Sequence, residues 1–258
     1  MIATLRSRSR IAILVALFAL VAFAAPASAN HSWNGYHWAR TSNPFNLKVG
    51  DNVSGAWDPV LNTTISDWSA STVLDLTKVA GQTKNTKRCS ATSGRVEVCN
   101  STYGNTGWLG VASVWASGSH ITQGTVKLND TYFNTAQYNT TAWRNLVSCQ
   151  EVGHTLGLDH QDENFDNANL GTCMDYTSNP GTNQHPNSHD YNQLVSIYSH
   201  LDSSTTIGAA PAGFKNADTS TPAQWGKLIK RSSDGHLGLY MRDFGGGHKL
   251  FTFVYWAQ

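Results

Sequence analysis

Apolar positions along the chain repeat with two different periods, and the switches between them mark its elements. From Asn30 to Gly50 aromatic and polar residues alternate around Trp33, Tyr36, Trp38, Phe45 and Leu47, which predicts one or two strands. After Val53 the period lengthens. Ala56, Val60, Ile65, Trp68 and Val73 fall at helical spacing, with Pro59 close enough to the start to be tolerated. Leu74, Leu76 and Val79 alternate again as a strand does, and the polar stretch from Gly81 to Ser93 reads as a loop. Further strands are predicted at Arg95 to Val98, Gly110 to Trp115 and Thr125 to Leu128, the last followed by a turn at Asn129-Asp130. Thr140 to Leu156 carries the clearest helical signal: Thr140 or Thr141 can cap it, and Leu146, Val147, Gln150 and His154 share one face. Residues 161 to 187, rich in Asn, Asp, Gly and Pro, should be mostly loop. Ser188 to Leu201 returns to helical spacing through Leu194, Ile197, Tyr198 and Leu201. The composition of residues 203–222 predicts a linker, and three strand-like runs in residues 223–258 follow it: Gly226 to Lys230, Leu237 to Arg242 and Leu250 to Trp256.

The first 29 residues read differently from the rest. Arg6, Arg8 and Arg10 precede an apolar run from Ile11 to Ala25, and Ala27-Ser28-Ala29 is an A-x-A cleavage site, so a secretory signal is expected over residues 1–29. The run is shorter than the roughly 20 residues a spanning helix needs, and no later stretch is long enough, so no stable membrane insertion is expected. Removing the segment takes away three Arg and no acid and moves the formal charge from +1 to −2. That balance excludes a strongly basic nucleic-acid binder. Nine Trp, nine Tyr and nine Phe exclude a disordered chain. In an extracellular protein the four cysteines, Cys89, Cys99, Cys149 and Cys173, read as two disulfides. Three connectivities are possible, of which Cys89–Cys99 with Cys149–Cys173 is the simplest.

The chemistry concentrates in one segment, Gln150-Glu151-Val152-Gly153-His154-Thr155-Leu156-Gly157-Leu158-Asp159-His160. On the expected helix Gln150 and His154 lie one turn apart on the same face, so both can reach one metal ion. Glu151 sits beside them, where it can take a proton from water. Gly157 can end the helix at positive φ and turn the chain so that His160 meets the same ion. Three protein ligands and an open position are the pattern of a catalytic zinc site.

This segment resembles the metzincin zinc signature, H-E-x-x-H-x-x-G-x-x-H followed by a Met-turn. Glu151, His154, Gly157 and His160 match at their places, and Thr172-Cys173-Met174-Asp175-Tyr176 is similar to the Met-turn, with Met174 as its methionine. The order of elements is similar to the matrixin branch from about Asn30 to Leu201. One position departs: Gln150 stands where the family has its first His, and a carboxamide oxygen is a weaker and harder zinc ligand than imidazole. The resemblance implies an α+β fold with a twisted, mostly parallel sheet, an active-site helix, a Met-turn and a C-terminal helix over residues 30–202, with a short β-rich tail beyond. It implies a secreted zinc endopeptidase, expected as a monomer, acting on a protein or peptide substrate. Gln150, His154 and His160 would hold Zn2+, Glu151 would be the general base, and Tyr176, two residues after Met174, would hydrogen-bond the oxyanion. The substrate would pair with an edge strand near Gly110 to Trp115. In metzincins the Met-turn lies under the zinc, so a Cys149–Cys173 bond would tie the zinc helix to that floor.

Other readings stand beside this one. The runner-up is a catalytically inactive metzincin-fold protein that serves as a protein- or cell-surface-binding module. A third is adhesion through the aromatic tail, with Trp225, Tyr240, Phe244, Phe251, Phe253, Tyr255 and Trp256 offering stacking faces. Asp162, Glu163 and Asp166 form an acidic loop that offers oxygens to structural Ca2+, but their spacing matches no known calcium loop and a solvated surface is the simpler reading. Asp159 is expected to be a solvated loop residue. His31, His37, His120, His185, His189 and His200 show no ligand spacing, and His189 and Asp190 fit local capping. Matrixins carry a pro-segment whose cysteine occupies the zinc. Here no cysteine lies between Asn30 and the first helix, so the enzyme is expected to be exported active or restrained by a weak zinc site.

Overall fold

The first half of the chain alternates strand and helix because parallel neighbours cannot be joined by a tight turn. In the computed structural model, which describes residues 31–208, 217–232, 235 and 237–258, β1 (His37–Trp38) and β2 (Phe45–Asn52) precede α1 (Trp57–Trp68) and β3 (Leu74–Ala80). The expected signal segment and the middle of the expected linker lie outside the described residues. Phe45, Leu47 and Val49 of β2 are buried, while Asn46 and Lys48 between them face solvent. Pro59 sits in the first turn of α1, where its missing N–H costs nothing. That helix buries Trp57, Val60, Leu61, Thr64 and Trp68. It stops short of Val73, whose carbonyl instead accepts from Phe45 N at the start of β2.

β4 (Val96–Ser101), β5 (Trp108–Ser117) and β6 (His120–Asn129) form the centre. α2 (Asp130–Phe133) occupies the turn expected at Asn129-Asp130. α3 (Thr141–Thr155) and α4 (Ser188–Ile197) follow, then β7 (Lys227–Arg231), β8 (Leu237–Gly245) and β9 (His248–Trp256). The strands make one nine-stranded mixed sheet in the order β3-β2-β4-β6-β5-β9-β8-β7, with β1 also paired to β6. The pairings among β1, β2, β3, β4 and β6 are parallel; β5, β9, β8 and β7 continue antiparallel. With four α-helices among the described residues this is an α+β architecture. None of the described helices is long and apolar enough to cross a membrane.

Two expectations change here. The strand Gly110 to Trp115 is not an edge. β9 pairs with it antiparallel from Trp108↔Trp256 to Ser117↔His248. Most of the aromatic tail does not form an open stacking face either, although Phe244 is exposed. Phe251, Phe253 and Tyr255 enter the main core, while Val254 packs with Trp108, Val111 and Trp225 on the opposite face of the sheet. β5 is therefore covered on both faces, which is why its burial is continuous rather than alternating. α4 also ends at Ile197 rather than Leu201, which is exposed.

Candidate metal centre

α3 is placed by its caps and by two glycines. Thr140 Oγ1 accepts from Trp143 N and starts the helix. At its far end Leu158 N donates to Gly153 O and Gly157 N to His154 O, the paired bonds of a Schellman stop, with Gly157 at φ +101°. This reversal brings His160 back beside the helix. Gly110 lets β5 approach: a Cβ there would lie 2.5 Å from Val147 Cγ1 and 2.9 Å from Glu151 Oε1. Gly153 does the same for the floor, where Met174 and Trp68 press against α3.

The candidate ligands are buried and show complementary bonding. Gln150 Nε2 donates to Cys173 O at 3.0 Å, which leaves its carboxamide Oε1 buried without a partner. His154 Nδ1 lies 2.8 Å from Leu158 O, so the proton sits on Nδ1 and the Nε2 lone pair is free. His160 Nδ1 faces Asp159 Oδ1 at 3.2 Å and Glu163 Oε1 at 3.4 Å, while Tyr176 Oη is 3.0 Å from its Nε2. The two imidazoles stand nearly perpendicular, with centroids 4.5 Å apart. The His154 ring, oriented through Nδ1, and the orphaned Gln150 oxygen are donors that a divalent cation of the zinc type accepts, while the Nε2 of His160 is engaged by Tyr176. Glu151 receives the Ala112 amide, and its Oε2 has no partner.

The electrostatics follow from burial. Burial pushes the Glu151 carboxyl well above the ordinary range, and it drives His154 well below its own, keeping that imidazole neutral and able to ligate. Burial would lower His160 too, but the carboxylates of Asp159 and Glu163 outweigh it and raise the group. Burial also raises the Tyr176 phenol, which stays a donor.

Beneath the helix, Met174 is fully buried, and the Cys149–Cys173 disulfide joins α3 to the Met174 loop. The other bond, Cys89–Cys99, fastens the preceding loop to β4. Asp190 caps α4 locally with Asn187, as expected. Asp159 is not a free loop residue: it pairs with Lys230 of β7 at 3.1 Å as well as with His160. Glu163 also meets Lys230, and Asp162 accepts from Asn164 N and Asn167. Asp162, Glu163 and Asp166 thus do not gather at one point among the described residues.

The part of the site not foreseen comes from the C-terminal strands. The Phe253 ring stacks on His154 at 4.1 Å, with 10° between the planes. Tyr255 packs against Tyr176 and donates to Thr177 O, and Lys230 holds the carboxylates behind His160. A small pocket beside His160 is lined by Asp159, Glu163, Lys230, Leu239 and Phe253. Alternation of Phe251, Phe253 and Tyr255 marks a strand with one apolar face, but no local signal says what that face covers. No protein-family model matches the chain, and no curated protein matches it significantly.

Proposed function

We propose that the chain is a secreted zinc endopeptidase of metzincin type, in a state in which its own C-terminal strand covers the site. The observation that carries this reading is the buried, unpartnered Oε1 of Gln150 one turn before His154, whose Nδ1 is already engaged by Leu158 O and whose ring meets His160. When bound, Zn2+ supplies a Lewis acid and lowers the pKa of water beside it towards ~7. Gln150, His154 and His160 are the residues that would hold it. Glu151 takes a proton from water through its free oxygen and passes it to the leaving amine, and a nearby cation favours its carboxylate form. The Tyr176 hydroxyl donates to the oxyanion. Both disulfides suit an oxidising, extracellular setting.

One observation favours a second reading, a binding module with no hydrolytic activity: Phe253 and β9 roof the site. A peptide-cleavage assay on the zinc-loaded full chain separates the two. The enzyme reading expects chelator-sensitive cleavage that rises in Phe253→Ser and falls by roughly 10²- to 10⁴-fold in Glu151→Gln. Zinc binding without cleavage in either wild type or Phe253→Ser would establish the binding module.

A further inference from the structure

A second cluster of imidazoles is built from none of the residues of the Gln150 site. His37 in β1 and His120 at the start of β6 are direct register partners on adjacent strands. After α4 the chain returns along β1: Asp202 N donates to Arg40 O and Thr206 N to Ala39 O. This return places His200 and Asp202 beside the two strand histidines. Arg40 fixes the segment by donating to Asp202 Oδ2 from both its amide and Nη1, and by gripping the carbonyl of His200.

With Oδ2 taken by Arg40, the other oxygen, Oδ1, faces three imidazoles through their Nε2 atoms. The distances are 3.4 Å to His37, 3.3 Å to His120 and 3.8 Å to His200, and His37 Nε2 is 3.2 Å from His200 Nε2. Four ligands on a tetrahedral zinc at its usual bond length stand about 3.3 Å from one another. The tautomer of His37 sharpens the point. Its Nδ1 lies 2.7 Å from Gly35 O, a pure acceptor, so Nδ1 carries the proton. Its Nε2 faces the Asp202 carboxylate, as a donor in the protonated ring or as a ligand to a cation lying between them. A backbone carbonyl on the far nitrogen is also the usual orienting partner of a metal-bound histidine.

We propose that His37, His120 and Asp202 form a structural site for a borderline divalent cation of the zinc class, with His200 at its rim beside His37. Imidazole nitrogens with a single carboxylate oxygen suit Zn2+ and not Ca2+ or Mg2+. The ion staples β1 to β6 and to the segment after α4, joining residues 165 positions apart.

The test is zinc stoichiometry and thermal stability of the full-length protein after chelator treatment and titration with Zn2+ alone. His120 and His200 have partly exposed side chains, so His120→Ala/His200→Ala should leave the fold standing. His154→Ala is the control for the other site. In the double variant one equivalent of zinc should disappear, and with it a Tm rise of roughly 5 to 10 °C at zinc a hundredfold above its dissociation constant. In His154→Ala that equivalent and that rise should persist. Zinc content and Tm response unchanged in the double variant overturn the proposal, as does zinc lost only in His154→Ala. Zinc lost only in the double variant upholds this site and refutes the one at Gln150. Absence of zinc from every form overturns both.

Discussion

Replacing Gly153 with Ala adds one methyl group at the tightest contact beneath the site. A Cβ there lies 2.6 Å from Met174 Sδ, 2.8 Å from Trp68 Cζ2 and 3.3 Å from Met174 Cε. The thioether could yield if it had room, but Met174 is completely buried. The indole is held harder still, because Trp68 is buried and its Nε1 donates to Cys149 O at 3.0 Å. Nor can α3 lift away, since its other face meets β5 at Gly110. Helix propensity works in the opposite direction and favours Ala by about 1 kcal/mol. Overpacking a filled core costs about 1–3 kcal/mol, and straining the indole hydrogen bond adds about 1 kcal/mol. The net expectation is a loss of about 1–3 kcal/mol, or about 2–12 °C in Tm for a chain of this size. Thermal unfolding of the metal-free protein with both disulfides intact reads it directly. An unchanged or higher Tm would mean that propensity wins and that α3 does not rest on Trp68 and Met174 as described.

Two further outcomes follow from the same contacts and charges. The Cys149–Cys173 bond spans a sequence separation of 24 residues, so Cys149→Ser/Cys173→Ser should lose about 3.5 kcal/mol by loop-closure entropy; a loss below ~1 kcal/mol in denaturant titration contradicts that account. Lys127 is buried under Thr219 O, and burial pulls its ammonium down to about 8 against the pull of Asp218, with Arg88 adding to the lowering. The unfolded chain keeps that proton up to about 10.4, so between these values folding releases it and stability rises with pH by up to about 1.4 kcal/mol per unit. Relative to Lys127→Met, the wild type should gain about 2 kcal/mol from pH 7.5 to 9.5, and a flat difference refutes the buried charge.

Much of the fold was legible where the signal is local. The Thr140 cap and the Gly157 stop each depend on neighbours within a turn or two, so the helix at 141–155 lies close to its expected bounds, whereas the helical spacing read through Val73 overran the helix at 57–68. His154 and His160 meet for the same reason, because one helix and one reversal suffice. What could not be read was pairing across the chain. Phe251, Phe253 and Tyr255 announce a strand, yet nothing near them says that β9 will close the edge of β5 or lay a ring on His154. His37, His120 and His200 likewise lack any ligand spacing, because the contacts that gather them belong to the sheet and to the segment returning after α4. Asp159 misled for a related reason: its partner, Lys230, comes from β7.

Elemental analysis of the full-length protein, purified without chelator beside His154→Ala and Gln150→Leu, tests the central claim most directly. Wild type should carry two zinc ions per chain, and each variant should lose one. Identical zinc content in all three would show that Gln150, His154 and His160 hold no metal.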